Sequence, residues 1–419
     1  MNVLLVTEQV LDIKKNKVVS DFAISSTIRR FQTMGTLHIA CCKFIGKTAQ
    51  PLNVELDLFP SDVTFLDKET DLRHRYFDRK HNRSELNRLI ADADFVIGYA
   101  PSTLADLALS IAKKQGKRFM TFLVGCVWDA LSNHRSWKAR LMAPARFLET
   151  RHTVRHADYV WYVTQHFLQH RYPTRGLAFG GTDTNIPPFT PDTLSRRLHK
   201  IEGNHDELRL LTVGHVDVGF KGQHFVVRAL PAIISQGINA QYYIIGDGQG
   251  NWIKRIAQEK GVADRVHLLG RKSREEVIQF MDDCDIYIQP SLQEGLPRSV
   301  AEAMSRAMPC IVTNVGGMSE MIDTQFTVRA RVHNDIAKAV AKLTVDEMKR
   351  QARRNFEKSK QYQPDYVDKQ LLPFFEMIKG SSVPIKPAGP KRMIFVAGMI
   401  FLSFICTAFY LVRKELFGL

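Results

Sequence analysis

The stretch QEGLPRSVAEAMSRAMP, Gln293 to Pro309, places two carboxylates, Glu294 and Glu302, eight residues apart around Gly-Leu-Pro. Each carboxylate can accept two hydroxyl hydrogen bonds, which is what a sugar or a ribose offers. The residues just before it, DIYIQPS, read as a strand ending at Ser291. Gly295 and Pro297 prevent helix through the turn, and RSVAEAMSRAM resumes as helix. Glu294 therefore belongs to a loop and Glu302 to the following helix. The backbone amides of Gly295 and Leu296 then lie at a helix N-terminus, where phosphate is favoured. The same residues also allow a plainer reading, in which Glu302 complements the helix dipole and Glu294 is solvated.

Elements able to position these groups run along the whole chain. In the first half VLLV (3–6), LHIACCKFI (37–45), FVIGYA (95–100) and FMTFLVGCV (119–127) read as strands. The stretch from Phe22 to Met34 and the segment ALSIAKKQG read as helices between them. A second series, LRLLTVG, AQYYIIGDG, RVHLLG, CDIYIQPS and PCIVTNVGG, has strands that each end in Gly, Pro or Ser, with helices between. Such alternation predicts two doubly wound parallel α/β sheets, with ligand loops at the carboxyl ends of the strands. Pro187, Pro188 and Pro191 mark the boundary between the halves, and KGSSVPIKPAGPKR reads as a linker. Met393 to Val412 is 20 residues without a charge, flanked by Lys391, Arg392, Arg413 and Lys414. As a helix it would be roughly 30 Å long, the thickness of a bilayer core. The expected divisions are 1–180, an N-terminal Rossmann-like domain; 181–355, a second such domain; 356–380, helices packing back on the first; 381–392, a linker; and 393–412, a transmembrane helix.

Across 419 residues, 58 Lys and Arg stand against 43 Asp and Glu, a formal net charge of +15. That balance suits anionic partners such as nucleotides, phosphates or an acidic lipid surface, or else a solubilising surface. No nucleic-acid recognition module is legible, so nucleic acid is not expected as a partner. The six cysteines form no CxxC pair and most sit in apolar runs, a reduced, core-type usage with neither a disulfide framework nor a zinc site. The first apolar run is too short for a signal peptide. The expected location is a membrane, through a single C-terminal anchor, with the folded domains in the cytoplasm. Between His134 and His156 there are five Arg, one Lys and a single Glu, while Trp137, Leu141, Ala145 and Leu148 share one helical face. This segment suits an anionic membrane surface or a lipid diphosphate; a core-packing helix with a solvated basic face is the alternative.

Read together, these motifs resemble the retaining family-4 glycosyltransferases of the GT-B fold. The carriers are Glu294 and Glu302 with Ala303-Met304, the turn at Gly316, Gly317 and Glu320, VGHVDVGFKGQHFVVRAL, YYIIGDGQGNWIKRIAQEKGVADRVHLLG and GGTDTNIPPF. The resemblance covers about residues 178–323 and is faint before them. It implies two Rossmann-like domains facing a cleft and a metal-independent hexosyl transfer from a nucleotide-diphosphate sugar, UDP- or GDP-linked, with no separate cofactor. Glu302 would hold the nucleotide ribose and Glu294 hydroxyls of the transferred sugar. Lys221 would neutralise the diphosphate, assisted by the amides of Gly295 and Leu296. Gly246 and Gly248 would let the backbone approach the donor, and Arg271 would sit near the base.

Three departures stand out. Ala307 stands before the last motif where glycine is common. His215 occupies the place where the family usually has an arginine, and it reads either as a phosphate contact or as a plain strand-end residue. TEQVLDIKKNK replaces the Gly-Gly loop that often follows the first strand. In the N-terminal half, Trp128, Asp129 and His134 follow a strand end and are candidates for the acceptor, with a solvated or capping role as the alternative. DDCD, Asp282 to Asp285, reads as helix cap and strand opening rather than as a metal-binding Asp-x-Asp. The expected activity is retaining transfer to a membrane-associated, lipid-linked acceptor in cell-surface polysaccharide or glycolipid synthesis. The rival readings are a non-catalytic, membrane-tethered sugar-nucleotide-binding protein with a degenerate site, and a nucleotide-sugar epimerase of the same fold.

Overall fold

The structure, a computed structural model, describes residues 1–42, 52–66, 80–186, 188–203 and 206–381. Pro187, the linker from residue 382 onward and the expected membrane helix at 393–412 lie outside the described residues. No helix among the described residues is long and apolar enough to cross a membrane. The described residues form two compact units, one of Met1–Val163, Leu168–Gly181 and the residues from Leu371 on, the other of Thr164–Phe167 and Thr182–Gln370.

The first unit carries strands β1 (Asn2–Thr7), β4 (Thr36–Cys42), β6 (Val63–Leu66), β7 (Phe95–Ala100), β8 (Arg118–Leu123), β9 (Tyr159–Tyr162) and β10 (Leu177–Gly180). They form one parallel sheet in the order β10-β9-β8-β7-β1-β4-β6. Strands covered on both faces read as continuous apolar runs, and Leu5, Val6, Ile97 and Phe122 are fully buried. Phe31, Phe122 and Trp161 pack at centroid distances of 4.3 to 5.8 Å, and Phe375, from the helix Pro364–Gly380, joins Trp161 at 6.1 Å. The segment TEQVLDIKKNK, read from sequence only as a departure, folds as a hairpin of β2 (Leu11–Lys14) and β3 (Lys17–Ser20), extended by β5 (Val54–Glu55). Its turn places Lys15 and Asn16 at φ 49° and 61°, the left-handed region that two-residue hairpin turns need.

The second unit holds β11 (Leu208–Val213), β12 (Ala240–Ile245), β13 (Val266–Leu268), β14 (Ile286–Gln289), β15 (Cys310–Thr313) and β16 (Thr327–Val328), all parallel. Their order, β13-β12-β11-β14-β15-β16, reverses direction between β11 and β14, so the connections leaving these two strands run to opposite sides. That divergence opens a crevice at their carboxyl ends, where doubly wound sheets bind ligands. The helix Arg274–Asp283 starts with the capping box Ser273-x-x-Glu276. Its carboxyl end is closed by the buried Arg197 guanidinium, which donates to the carbonyls of Met281 (2.5 Å), Cys284 (2.6 Å) and Arg306 (3.2 Å). The acids of DDCD are engaged in the same region: Asp282 pairs with Arg306 at 2.7 Å, and Asp285 pairs with Lys200 at 3.1 Å and accepts from the Arg209 amide.

Arg197→Ala removes the guanidinium from the Met281 and Arg306 carbonyls and leaves the Cys284 carbonyl to Lys200, which donates to it at 3.0 Å. It is expected to lower stability by about 3 kcal/mol or more in urea denaturation; a loss under about 0.5 kcal/mol would remove Arg197 from this role.

Candidate functional site

The carboxyl ends of β11 and β14 bring most of the predicted donor residues together. After β11 the chain runs through Gly214 and His215 to a single 3-10 turn, Gly219–Lys221, and then into the helix Gln223–Ile234. Gly222 joins turn and helix at φ 76°, and a β-carbon there would lie 1.9 Å from the Pro290 carbonyl oxygen. The Leu292 amide donates to the Phe220 carbonyl at 2.7 Å. The lysine loop is thus pressed against the end of β14, and the Lys221 ammonium meets Glu294 Oε1 at 2.8 Å.

That carboxylate oxygen also accepts from Ser291 Oγ at 2.7 Å and from Gln289 Nε2 at 3.3 Å. Beneath it, buried Gln289 donates to Ser291 Oγ (2.8 Å) and accepts from Tyr287 OH (2.7 Å) and Ser299 Oγ (3.3 Å). The three donors fix one oxygen of Glu294, and its second oxygen is the one presented for a further partner. Sequence reading found Glu294 but not Gln289 or Ser291. Their pattern, alternate residues at the end of a buried strand, carries no signal of its own until the loop folds over them.

The amides of Gly295 and Leu296 have no acceptor among the described residues. They precede the helix Arg298–Ser305, so its free N–H groups and dipole favour an anion there. The Gly295 carbonyl accepts from the Gly317 amide at 2.7 Å, and a β-carbon on Gly316, at φ 59°, would lie 2.2 Å from the Glu294 carbonyl oxygen. The Gly316-Gly317 turn therefore braces the Glu294 loop from behind. Glu320, three residues further on, accepts from the amides of Gln165 (2.7 Å), His166 (3.1 Å) and Phe167 (2.6 Å).

Glu302 lies in the second turn of the helix Arg298–Ser305, largely buried, with Arg274 Nε 3.9 Å from Oε1. Burial pushes its carboxyl above the ordinary value, against the pull of Arg274 and Arg298. Arg274, which the sequence reading did not single out, also donates to the Asn185 carbonyl at 2.8 Å.

His215 Nδ1 accepts from the Asp217 amide at 3.2 Å, which leaves Nε2 as the protonated, donating nitrogen. Gln223 Nε2 donates at 3.2 Å to the carbonyls of both Gly214 and His215 and so holds this loop beside Lys221. A β-carbon on Gly246 would lie 2.0 Å from the Gly214 carbonyl oxygen, and one on Gly248, at φ 114°, 2.7 Å from Asp217 Oδ2. The glycines of GDG are thus required by the protein's own neighbouring loop. Asp217, another residue the sequence reading passed over, accepts from the amides of Gln249 (3.0 Å) and Gly250 (2.9 Å) at the start of the helix Asn251–Glu259. Arg271 is exposed, one residue past Gly270, whose carbonyl accepts from the Gly246 amide at 3.0 Å.

The three predicted acceptor residues belong to the first unit. Asp129 accepts from Arg171 at 2.8 Å, so its carboxylate is already paired. Trp128 is exposed, with its ring 5.9 Å from that of Phe147. His134 is exposed and accepts from the Ser136 amide at 3.0 Å.

Residues 207–346 match the model of the family described as glycosyl transferases group 1. Protein CapJ of Staphylococcus aureus is 26% identical over 260 residues, covering 61% of this chain and 64% of that protein. The amylovoran biosynthesis glycosyltransferase AmsK of Erwinia amylovora is 31% identical over 162 residues, 37% of this chain and 39% of that protein. The match thus spans less than two thirds of the length of these curated relatives. Anabaena Alr3699/HepE, solved in complex with UDP-glucose, shares the fold with a TM-score of 0.62 over 90% of this chain and 99% of that one, at 13% identity. The fold is α/β GT-B with parallel sheets.

Two outcomes test this geometry. Gly222→Ala drives a β-carbon into the Pro290 carbonyl and is expected to cost about 2 kcal/mol or more. For Glu302 the sign follows from the raised carboxyl. The folded state holds that proton more tightly than the unfolded chain, so the resulting stabilisation is present in acid and lost as pH rises through the raised value. Glu302→Gln should therefore gain stability relative to wild type between about pH 4 and about pH 7, in paired urea titrations; a constant gap would contradict the burial argument.

Proposed function

We propose that this protein is a retaining glycosyltransferase that moves a sugar from a nucleotide-diphosphate sugar to a membrane-associated, lipid-linked acceptor in cell-surface polysaccharide or glycolipid synthesis. The observation that carries the reading is the convergence of Lys221, Glu294 and the Gly295 and Leu296 amides at the switch point of the second sheet. The match of residues 207–346 to the glycosyl transferases group 1 and the fold shared with a UDP-glucose complex support it. AmsK, a relative named for amylovoran biosynthesis, supports the polysaccharide setting.

In this reading the diphosphate lies against Lys221, His215 Nε2 and the Gly295 and Leu296 amides. Breaking the bond between the anomeric carbon and the diphosphate oxygen leaves negative charge on the phosphate, and fixed cationic and amide donors lower that barrier most. Lys221 then exchanges part of its bond to Glu294 for the phosphate. Glu294 turns its second oxygen to the sugar hydroxyls, and buried Glu302 takes the ribose hydroxyls. The acceptor oxygen bonds to the anomeric carbon on the face the diphosphate leaves, and its proton passes to the departing phosphate oxygen. The cation and the helix end carry the charge stabilisation without a metal. The base of the donor is uracil or guanine.

Lys221→Ala and Glu302→Ala should each reduce transfer, and hydrolysis of the donor, by about a thousandfold or more while the protein stays folded. The check is a panel of UDP- and GDP-sugars with the purified protein. Near-wild-type rates in either variant would refute the assignment.

A further inference from the structure

The helix Trp137–Arg155 turns an unexpected side inward. Its buried residues are Ala143, Arg146, Thr150, Thr153 and Val154. Arg146 is drawn in by ion pairs to buried Asp106 (3.0 Å) and to Glu149 (2.5 Å). In the opposite sector, 59% of Trp137 and 44% of Leu148 are exposed, Pro144 between them is also exposed, and Leu141 is half-buried. The helix packs inward through Ala143, Arg146, Thr150, Thr153 and Val154, while the apolar stripe legible in the sequence faces solvent.

The charges beside that stripe are of one sign. Lys138, Arg140, Arg151 and Arg155 are all exposed. The helix's single acid, Glu149, is spent on Arg146. Trp128, 39% exposed, comes from the preceding helix Val127–Ser132, which packs alongside. At 1.5 Å per residue the helix is about 28 Å long. Exposed tryptophan and leucine beside arginine and lysine are side chains that settle at the headgroup layer of an anionic bilayer. The aromatic ring and leucine enter the acyl boundary while the cations stay with the phosphates.

We infer that the exposed face of the helix Trp137–Arg155 docks the first unit on an anionic phospholipid surface. The inference uses none of the donor residues and goes beyond the proposed transfer reaction. It supplies a membrane contact made by the folded domain itself, placing the protein where a membrane-held acceptor is presented.

The test uses the full chain, with vesicles of bromine-labelled phosphatidylcholine alone or mixed with equimolar phosphatidylglycerol, and reads tryptophan fluorescence. The Trp137 share is obtained by difference from Trp137→Phe. The expected result is quenching of Trp137 in the anionic vesicles and little in the neutral ones. Arg140→Glu combined with Arg151→Glu should weaken apparent vesicle affinity about tenfold or more. Nucleotide binding and circular dichroism of that variant should match wild type, which separates this inference from the donor reading. No quenching of Trp137 in either vesicle, equal quenching in both, or quenching only when a polyprenyl diphosphate is added would overturn it, the last in favour of a headgroup subsite.

Discussion

The Lys221–Glu294 pair is the interaction on which the rest of the second unit's site depends. A lysine and a glutamate 73 residues apart meet at 2.8 Å because β11 and β14 are neighbours whose connections leave in opposite directions. The sheet order creates the crevice, and the two loops that cross its mouth bring the charges. The side chains are 24% and 11% exposed, so the cost of desolvating the two charges offsets much of their attraction and the net contribution to stability is small. Its consequence is positional. One oxygen of Glu294 is saturated by Lys221, Ser291 and Gln289, which holds the carboxylate in one orientation and the ammonium at the crevice.

Around that pair, close backbone approach replaces side-chain packing. Gly222 lies against the Pro290 carbonyl, Gly246 against the Gly214 carbonyl and Gly316 against the Glu294 carbonyl. Each contact pins one loop to the next, so the lysine, GDG and glutamate loops form one braced rim. Glu302 is set differently. It is carried by the helix, is desolvated, and is balanced by Arg274 at 3.9 Å. A carboxylate held in that state costs the fold something, as functional groups commonly do. A ribose hydroxyl pair would satisfy it.

The second sheet was legible because its strands are apolar runs ended by Gly, Pro or Ser. The loop-and-helix split of Glu294 and Glu302 followed from Gly295 and Pro297 alone. What escaped was tertiary. Gln289, Ser291 and Asp217 acquire their roles only from partners brought in by the fold, and Arg171 reaches Asp129 from 42 residues away. The hairpin at Leu11–Ser20 turns through Lys15 and Asn16 without the glycine that usually signals it. Periodicity placed Trp137, Leu141 and Leu148 on one face, but it cannot say which face is covered. The Arg146–Asp106 pair decides that.

The central claim is that this crevice takes a nucleoside diphosphate. Calorimetric titration of the purified full chain with UDP and with GDP, at moderate salt, tests it most directly. The account predicts that one of the two binds with one-to-one stoichiometry, and that affinity falls as ionic strength rises, because the diphosphate is held by Lys221 and backbone amides. Absence of binding by both nucleotides, or binding indifferent to salt, would contradict it.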